Sequence, residues 1–312
     1  MSPRQRTLHY PLRRIRLLLA LLFLVSVSSV SLAQQEDEVV RVNTDLVVLN
    51  VTVTDRAGNY VPNLRLSAFK IYEDGREVPA AAISGFSLQE APFASVVLLD
   101  TSGSMETRLS LARSAAIRFL DGLRSEDVAA VYRFDTKLEQ LQDFSSGRDL
   151  APLAYGIKAN GMTVLNDAVV QAASALAQRP EKRKAIVVLS DGIYTFSKAT
   201  SAKALDSALA VGASIFTVDM SAAEGAASRN PQSFMVLKNF ADKSGGRFVA
   251  TPGGPALRDA FASIAEELGH QYTISYRPLN RARDGRWRTI EVKLSRDDLI
   301  VRTRKGYRAP KR

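Results

Sequence analysis

Asp100-Thr101-Ser102-Gly103-Ser104 sets one carboxylate and two hydroxyls at alternating positions around a glycine. In a tight loop, side chains spaced this way can point at a common centre, and Gly103 lets the backbone turn sharply. These are hard oxygen donors, suited to Mg2+ or Mn2+ rather than to zinc or copper. Two further stretches carry the same chemistry. Gly161-Met162-Thr163 stands before Leu165-Asn166-Asp167-Ala168, so Thr163 falls in a loop leading into a helix. Ala185-Ile186-Val187-Val188-Leu189-Ser190 runs into Asp191-Gly192, a buried strand meeting an acidic loop. Each stretch alone has an ordinary explanation, since Asp and Ser cap helices and Asp-Gly makes turns. Three such loops in this order favour a shared cation.

Other chemistries are poorly supplied. The chain has no cysteine, which removes disulfides, zinc–thiolate sites, iron–sulfur clusters and thiol nucleophiles. Its two histidines are His9 and His270, so a Ser-His-Asp hydrolase would depend on His270. A phosphatase-like Asp-x-Asp pair is missing, because Ser102 stands two residues after Asp100. Neither a Gly-rich phosphate loop with lysine nor a Gly-x-Ser-x-Gly elbow occurs. No catalytic residue is assigned, and the chain is not expected to be an enzyme. Asp219 and Asp167 lie near the candidate loops. Asp219 reads as a loop acid, and Asp167 either orients the Thr163 loop or caps a helix. Trp287 reads as packing between β-segments, and His270 as structural.

The elements that must position these loops alternate. Ser95 to Asp100, Val128 to Phe134, Ala185 to Ser190, Ser214 to Val218 and Gly246 to Ala250 read as strands. Leu138 to Phe144 reads as a hairpin partner of the second. Helical spacing covers Leu109 to Leu123, Asn166 to Gln178, Ala202 to Ala210, Ser233 to Ala241 and Ala256 to Leu268. Strands alternating with helices predict an α/β fold, a doubly wound, mainly parallel sheet covered on both faces. Its carboxyl edge is where such folds bind ligands. Both flanks read as β-structure. Val40 to Val53, Phe69 to Tyr72 and Val78 to Phe86 form the first, with a hairpin at Asp74-Gly75. Tyr272 to Tyr276, Thr289 to Leu294 and Leu299 to Arg304 form the second. The two flanks are expected to pack together as one sandwich-like unit. The divisions are 36–91 for the first β-segment, 92–269 for the α/β domain and 270–312 for the second β-segment.

The order and spacing of the three loops resemble the metal-ion-dependent adhesion site of von Willebrand factor A domains, over about residues 93–269. The resemblance implies a Rossmann-like fold and a metal shell of Asp100, Ser102, Ser104, Thr163 and Asp191. It implies direct hydroxyl ligation by Ser102, Ser104 and Thr163, with Asp100 and Asp191 acting largely through bound water. It implies a partner protein that presents Asp or Glu to Mg2+ or Mn2+. The whole chain resembles a narrower group, secreted bacterial proteins whose von Willebrand factor A domain is flanked by β-segments. Val51 to Asp55 and Phe69 to Gly75 carry that likeness in the first flank, Tyr272 to Tyr276 and Arg304-Lys305-Gly306-Tyr307 in the second. The expected function is extracytoplasmic, metal-dependent protein binding in adhesion or assembly. The alternatives are a structural envelope component and a metal-dependent hydrolase.

Residues 1–33 read as an export signal. Five arginines precede the apolar run Leu17 to Val25, and small residues end at Ser31-Leu32-Ala33. Leu17 to Ala33 would also nearly span a bilayer as an uncleaved anchor. No second run of spanning length follows. The formal net charge is +10. Residues 277–312 hold thirteen Lys and Arg against four Asp and Glu, which leaves the middle of the chain mildly acidic. The basic tail reads as a solvated strand face, and no nucleic acid partner is expected. Ser221 to Asn230 is rich in small residues and is a candidate gate beside the site.

Overall fold

A computed structural model describes residues 46–88, 91–148, 150, 155–191, 196–221, 231–250 and 254–311. The export signal, Val40 and Val42, Gly192 and residues 222–230 of the candidate gate lie outside the described residues. In chain order the first flank holds β1 (Val47–Asp55), β2 (Phe69–Glu73), β3 (Arg76–Glu77) and β4 (Ile83–Ser87). The α/β part follows as β5 (Phe93–Asp100), α1 (Leu109–Asp121), β6 (Val128–Phe134), β7 (Leu138–Ser145), α2 (Leu165–Ala177), β8 (Arg183–Ser190) and α3 (Ser201–Ala210). It continues through β9 (Ala213–Asp219), α4 (Pro231–Ser244), β10 (Phe248–Ala250) and α5 (Gly254–Gly269). The second flank is β11 (Tyr272–Tyr276), β12 (Trp287–Leu294), β13 (Leu299–Arg302) and β14 (Gly306–Arg308).

The central sheet runs in the order β10-β9-β8-β5-β6-β7. All its pairings are parallel except β6 with β7. Its inner strands β5, β8 and β9 are largely apolar because both faces are covered, whereas the edge strand β7 is mostly polar. Every residue of β5 and β9 is buried. Period-two alternation divides the core. Phe93, Val97 and Leu99 of β5 join Phe119 and Leu120 of α1 and Phe261 and Ile264 of α5. Ala94, Val96 and Leu98 join Val169 and Ala172 of α2, Ala204 and Ala208 of α3 and Phe240 of α4. Alanines on α2 and α3 keep those helices close, while Phe119 and Phe261 fill the wider opposite layer edge to face, 6.4 Å between centroids. The α/β class expected from the sequence is the one observed.

The flanks interleave. One four-stranded sheet runs β13-β1-β11-β4 and the other β14-β12-β2-β3. Val47 pairs with Tyr276 and Thr52 with Arg302, so both flanks share one sheet. Val51, Val53, Ile71, Tyr272, Ile274 and Val292 form a core between the two sheets. Some expected strands shift. Val78 to Phe86 is not one strand: Pro79 leads into a 3-10 turn at Ala80–Ala82, and β4 starts only at Ile83. Leu299 to Arg304 splits at Thr303, where the chain leaves β13 and crosses to β14 in the opposite sheet.

The sandwich meets the α/β domain at the amino-terminal edge of the central sheet. Arg183, which opens β8, is buried there; it donates to Thr273 Oγ1 at 3.0 Å and to the carbonyls of Leu88 and Leu268. The carboxyl edge, with its three polar loops, is therefore at the other end of the strands.

Candidate metal centre

Register brings the first and third loops together. β5 and β8 are parallel neighbours with Leu99 opposite Leu189, so Asp100 and Ser190 close adjacent strands. Ser190 Oγ donates to Asp100 Oδ2 at 2.5 Å, and Ser102 N–H donates to Asp100 Oδ1 at 2.9 Å. Thr101 fastens the same loop sideways, since its N–H and its hydroxyl both donate to the Phe134 carbonyl that ends β6. The chain then makes a 3-10 turn over Gly103–Arg108 before α1. This brings Ser102 Oγ and Ser104 Oγ within 3.2 Å of each other. Ser102 is buried and Ser104 exposed, so the pair lies at the mouth of the site.

The second loop is laced to the first through backbone groups. Gly103 N–H donates to Gly161 O at 3.2 Å, and Asn160 N–H donates to Thr101 O at 2.9 Å. Gly161 has a φ of +75°, and a Cβ there would stand 2.3 Å from Thr136 Oγ1. Thr136 Oγ1 instead accepts from Met162 N–H at 3.1 Å, and Val164 N–H donates to Asp135 O. These contacts hold the buried Thr163 between them. The third loop closes over it, with Phe196 N–H donating to Thr163 O at 3.3 Å. Asp191, directly after β8, is buried, and its Oδ2 lies 3.8 Å from Arg108 Nη1. Asp100, Ser102, Ser104, Thr163 and Asp191 thus all stand on three loops at one end of the central sheet.

Burial pushes the Asp100 carboxyl up to about 7 and the Asp191 charge adds to the rise, while the hydrogen bonds from Ser102 and Ser190 oppose it. A cation placed between the carboxylates would relieve both burial and repulsion. The available donors are hydroxyl and carboxylate oxygens. Among the described residues no three His, Cys, Asp or Glu side chains gather, which leaves the hydroxyls as the larger share of any donor set. Such a set fits a hard divalent ion, Mg2+ or Mn2+.

Sequence reasoning passed over two residues of this site. Ser190 is one, and its signal was a polar residue ending a five-residue apolar run beside Asp191. Arg108 is the other, and its burial under the site has no local signature. Asp167 holds neither the Thr163 loop nor a helix start. It accepts from Lys198 N–H and Ala199 N–H, each at 2.8 Å, and so pins the segment after Asp191. Asp219 lies opposite Ser190 in register and accepts from Ser221 N–H and its hydroxyl, closing a local turn. Trp287 is half-buried and covers Gly306. His270 stacks on Tyr60 at 4.7 Å beside Gly122 and Asp127, at the far edge from Ser102.

These loops on this sheet define an open α/β domain with an oxygen-rich site at its carboxyl edge. Residues 95–193, about a third of the chain, match the von Willebrand factor type A domain. No curated protein matches the chain. Among solved structures, the PilB minor pilin from Streptococcus sanguinis aligns at 14% identity and a TM-score of 0.44 over 58% of this chain. This chain spans 62% of that pilin's length. The von Willebrand factor domain of the type V pili tip protein Mfa5 from Porphyromonas gingivalis aligns at 15% identity and a TM-score of 0.46, covering 57% of this chain and 95% of that one. A von Willebrand factor type A protein from Catenulispora acidiphila aligns at 13% identity and a TM-score of 0.48, covering 79% and 75%.

Proposed function

We propose that the chain is an extracytoplasmic, metal-dependent protein-binding module of adhesion or assembly, not an enzyme. Ser102, Ser104 and Thr163 would hold Mg2+ or Mn2+ through their hydroxyl oxygens. Asp100 and Asp191 would balance the charge from behind, through ordered water. When bound, the ion supplies an electrophilic open position that an Asp or Glu side chain of a partner protein can occupy. The chain's own part is to hold the hydroxyls in place before the partner arrives, which cuts the ordering cost of binding. The observation that supports this reading is the lacing of three sequence-distant loops at one end of the sheet by Gly103 N–H to Gly161 O, Asn160 N–H to Thr101 O and Phe196 N–H to Thr163 O. Location outside the cytoplasm rests on the arginine-led apolar leader of residues 1–33. No helix among the described residues is long and apolar enough to cross a membrane.

Asp100→Ala tests the metal half of the proposal. Titration calorimetry with MgCl2 and MnCl2 is expected to lose its binding heat in this variant while circular dichroism stays that of the parent. Metal affinity equal to the parent's would overturn the assignment.

A further inference from the structure

The exposed apolar side chains of the molecule are not scattered evenly. Tyr155 is 52% exposed, Met162 40% and Phe196 61%. These are three of the eight large apolar side chains exposed among the described residues; Met162 and Phe196 stand next to Thr163, and Tyr155 lies earlier in the connection that leads to it. Met162 directly precedes Thr163, and Phe196 is tied to it by its own backbone N–H. Met162 and Phe196 thus flank Thr163, one along the chain and the other across a backbone hydrogen bond. Exposed Lys158 and Lys198 lie on the same two loops, against Glu106 on the first. Positive charge beside apolar surface complements a ligand that is acidic and apolar at neighbouring positions.

We infer that the partner presents its acidic residue from an exposed segment in which a large apolar or aromatic side chain stands next to the Asp or Glu and packs on Phe196, Met162 and Tyr155. This rests on the metal-dependent binding reading and adds the specificity to it. The carboxylate alone gives one bond that any acidic surface could make. The apolar neighbour gives the desolvated contact that separates one partner from another, as buried aromatic anchors do in protein interfaces. Lys158 and Lys198 then act on the rate of encounter more than on the lifetime of the complex.

The test uses a phage-displayed library of random peptides, each with one fixed Asp or Glu, selected on the full chain in MgCl2. Selected peptides are expected to carry Leu, Ile, Phe, Tyr or Trp next to the acid. Their affinity is expected to fall at least about thirtyfold for the F196S/M162S double variant. Calorimetry with MgCl2 on that variant separates a lost rim from a damaged metal site. Metal-dependent peptides that lack an apolar neighbour, or that bind the double variant as well as the parent, overturn the rim and leave the metal reading standing. Peptides that bind equally in chelator yet are lost in F196S/M162S keep the rim and overturn the metal reading. Selection of no peptide, with Mg2+ binding intact, overturns the rim as a peptide-recognition surface.

Discussion

Asp100 has both carboxylate oxygens engaged by the protein itself, one by Ser102 N–H and one by the Ser190 hydroxyl. This fixes the rotamer of a buried carboxyl beside the Ser102 and Ser104 hydroxyls, which stand 3.2 Å apart. Ser190→Ala removes one of the two restraints with little change in volume. Hydroxyl partners behind a metal site typically contribute ten- to a hundredfold in affinity. Mg2+ affinity in the Ser190→Ala variant is expected to fall about tenfold in calorimetry, with the fold retained by circular dichroism. An unchanged affinity would show that Ser102 N–H alone orients Asp100. Asp100, Ser102 and Ser104 were legible because their spacing is local. Ser190 was not, because its meeting with Asp100 is made by the register of β5 on β8, ninety residues apart in sequence.

At the scale of elements, legibility followed how much of each pattern was local. β5, β8 and β9 read clearly because strands buried on both faces need unbroken apolar runs. The β2–β3 turn read clearly because Asp74 and Gly75 both take positive φ, 49° and 78°, as a two-residue hairpin demands. The crossing at Thr303 was hidden, since period-two alternation says nothing about which of two sheets a residue joins. Pro79 and three alanines likewise kept an apparent strand from starting until Ile83. The site depends most on the Thr163 loop, whose conformation is set by Gly161. Gly161→Ala meets both a left-handed φ and the Thr136 hydroxyl. Strain of about 1–2 kcal/mol is expected from the φ alone, read as a lower urea midpoint. Mg2+ affinity should fall with it, because Gly161 O is the acceptor that ties this loop to Gly103. Asp167→Ala removes two of the bonds that hold the segment at Lys198 and Ala199 to α2, leaving those of Asn166 to Ser197 Oγ and Ala199 O. Its expected effect is a smaller loss of stability, about 1 kcal/mol, together with weaker binding of any ligand seated on Phe196. Ligand affinity equal to the parent's would show that Thr163 O and Asn166 hold this segment without Asp167.

At the scale of the whole molecule, the basic tail takes on a structural meaning that charge counting could not supply. Arg288 is buried and paired with Asp284 at 2.9 Å, Arg308 reaches Asp206 on α3 at 2.7 Å, and buried Arg304 donates to Leu209 O at 2.9 Å. These arginines fasten the sandwich to itself and to the α/β domain. Glu267 on α5 is the centre of one such junction. Nearly fully buried, it accepts from Arg302 of β13, takes the Thr52 hydroxyl of β1 at 3.1 Å and lies 3.3 Å from Arg247. One carboxylate thus joins both flanks to the central domain. Glu267→Ala would leave two guanidinium groups without their counter-charge and the Thr52 hydroxyl without its acceptor. Breaking a buried pair from one side costs about 3–5 kcal/mol. Here each arginine side chain is 32% exposed, so water recovers part of that and a loss of about 2 kcal/mol is expected. Urea unfolding followed by tryptophan fluorescence reports on this junction, because the single tryptophan, Trp287, lies in β12 of the sandwich. Circular dichroism reports mainly on the helices of the α/β domain. If Glu267 joins the two units, the midpoints by both probes should fall together in Glu267→Ala, or the fluorescence transition should separate and come first. Mg2+ affinity of the folded variant should stay that of the parent, since Glu267 and the metal loops lie at opposite edges of the central sheet. Unchanged midpoints by both probes would place the joining of the units in Arg183 and Arg304 instead.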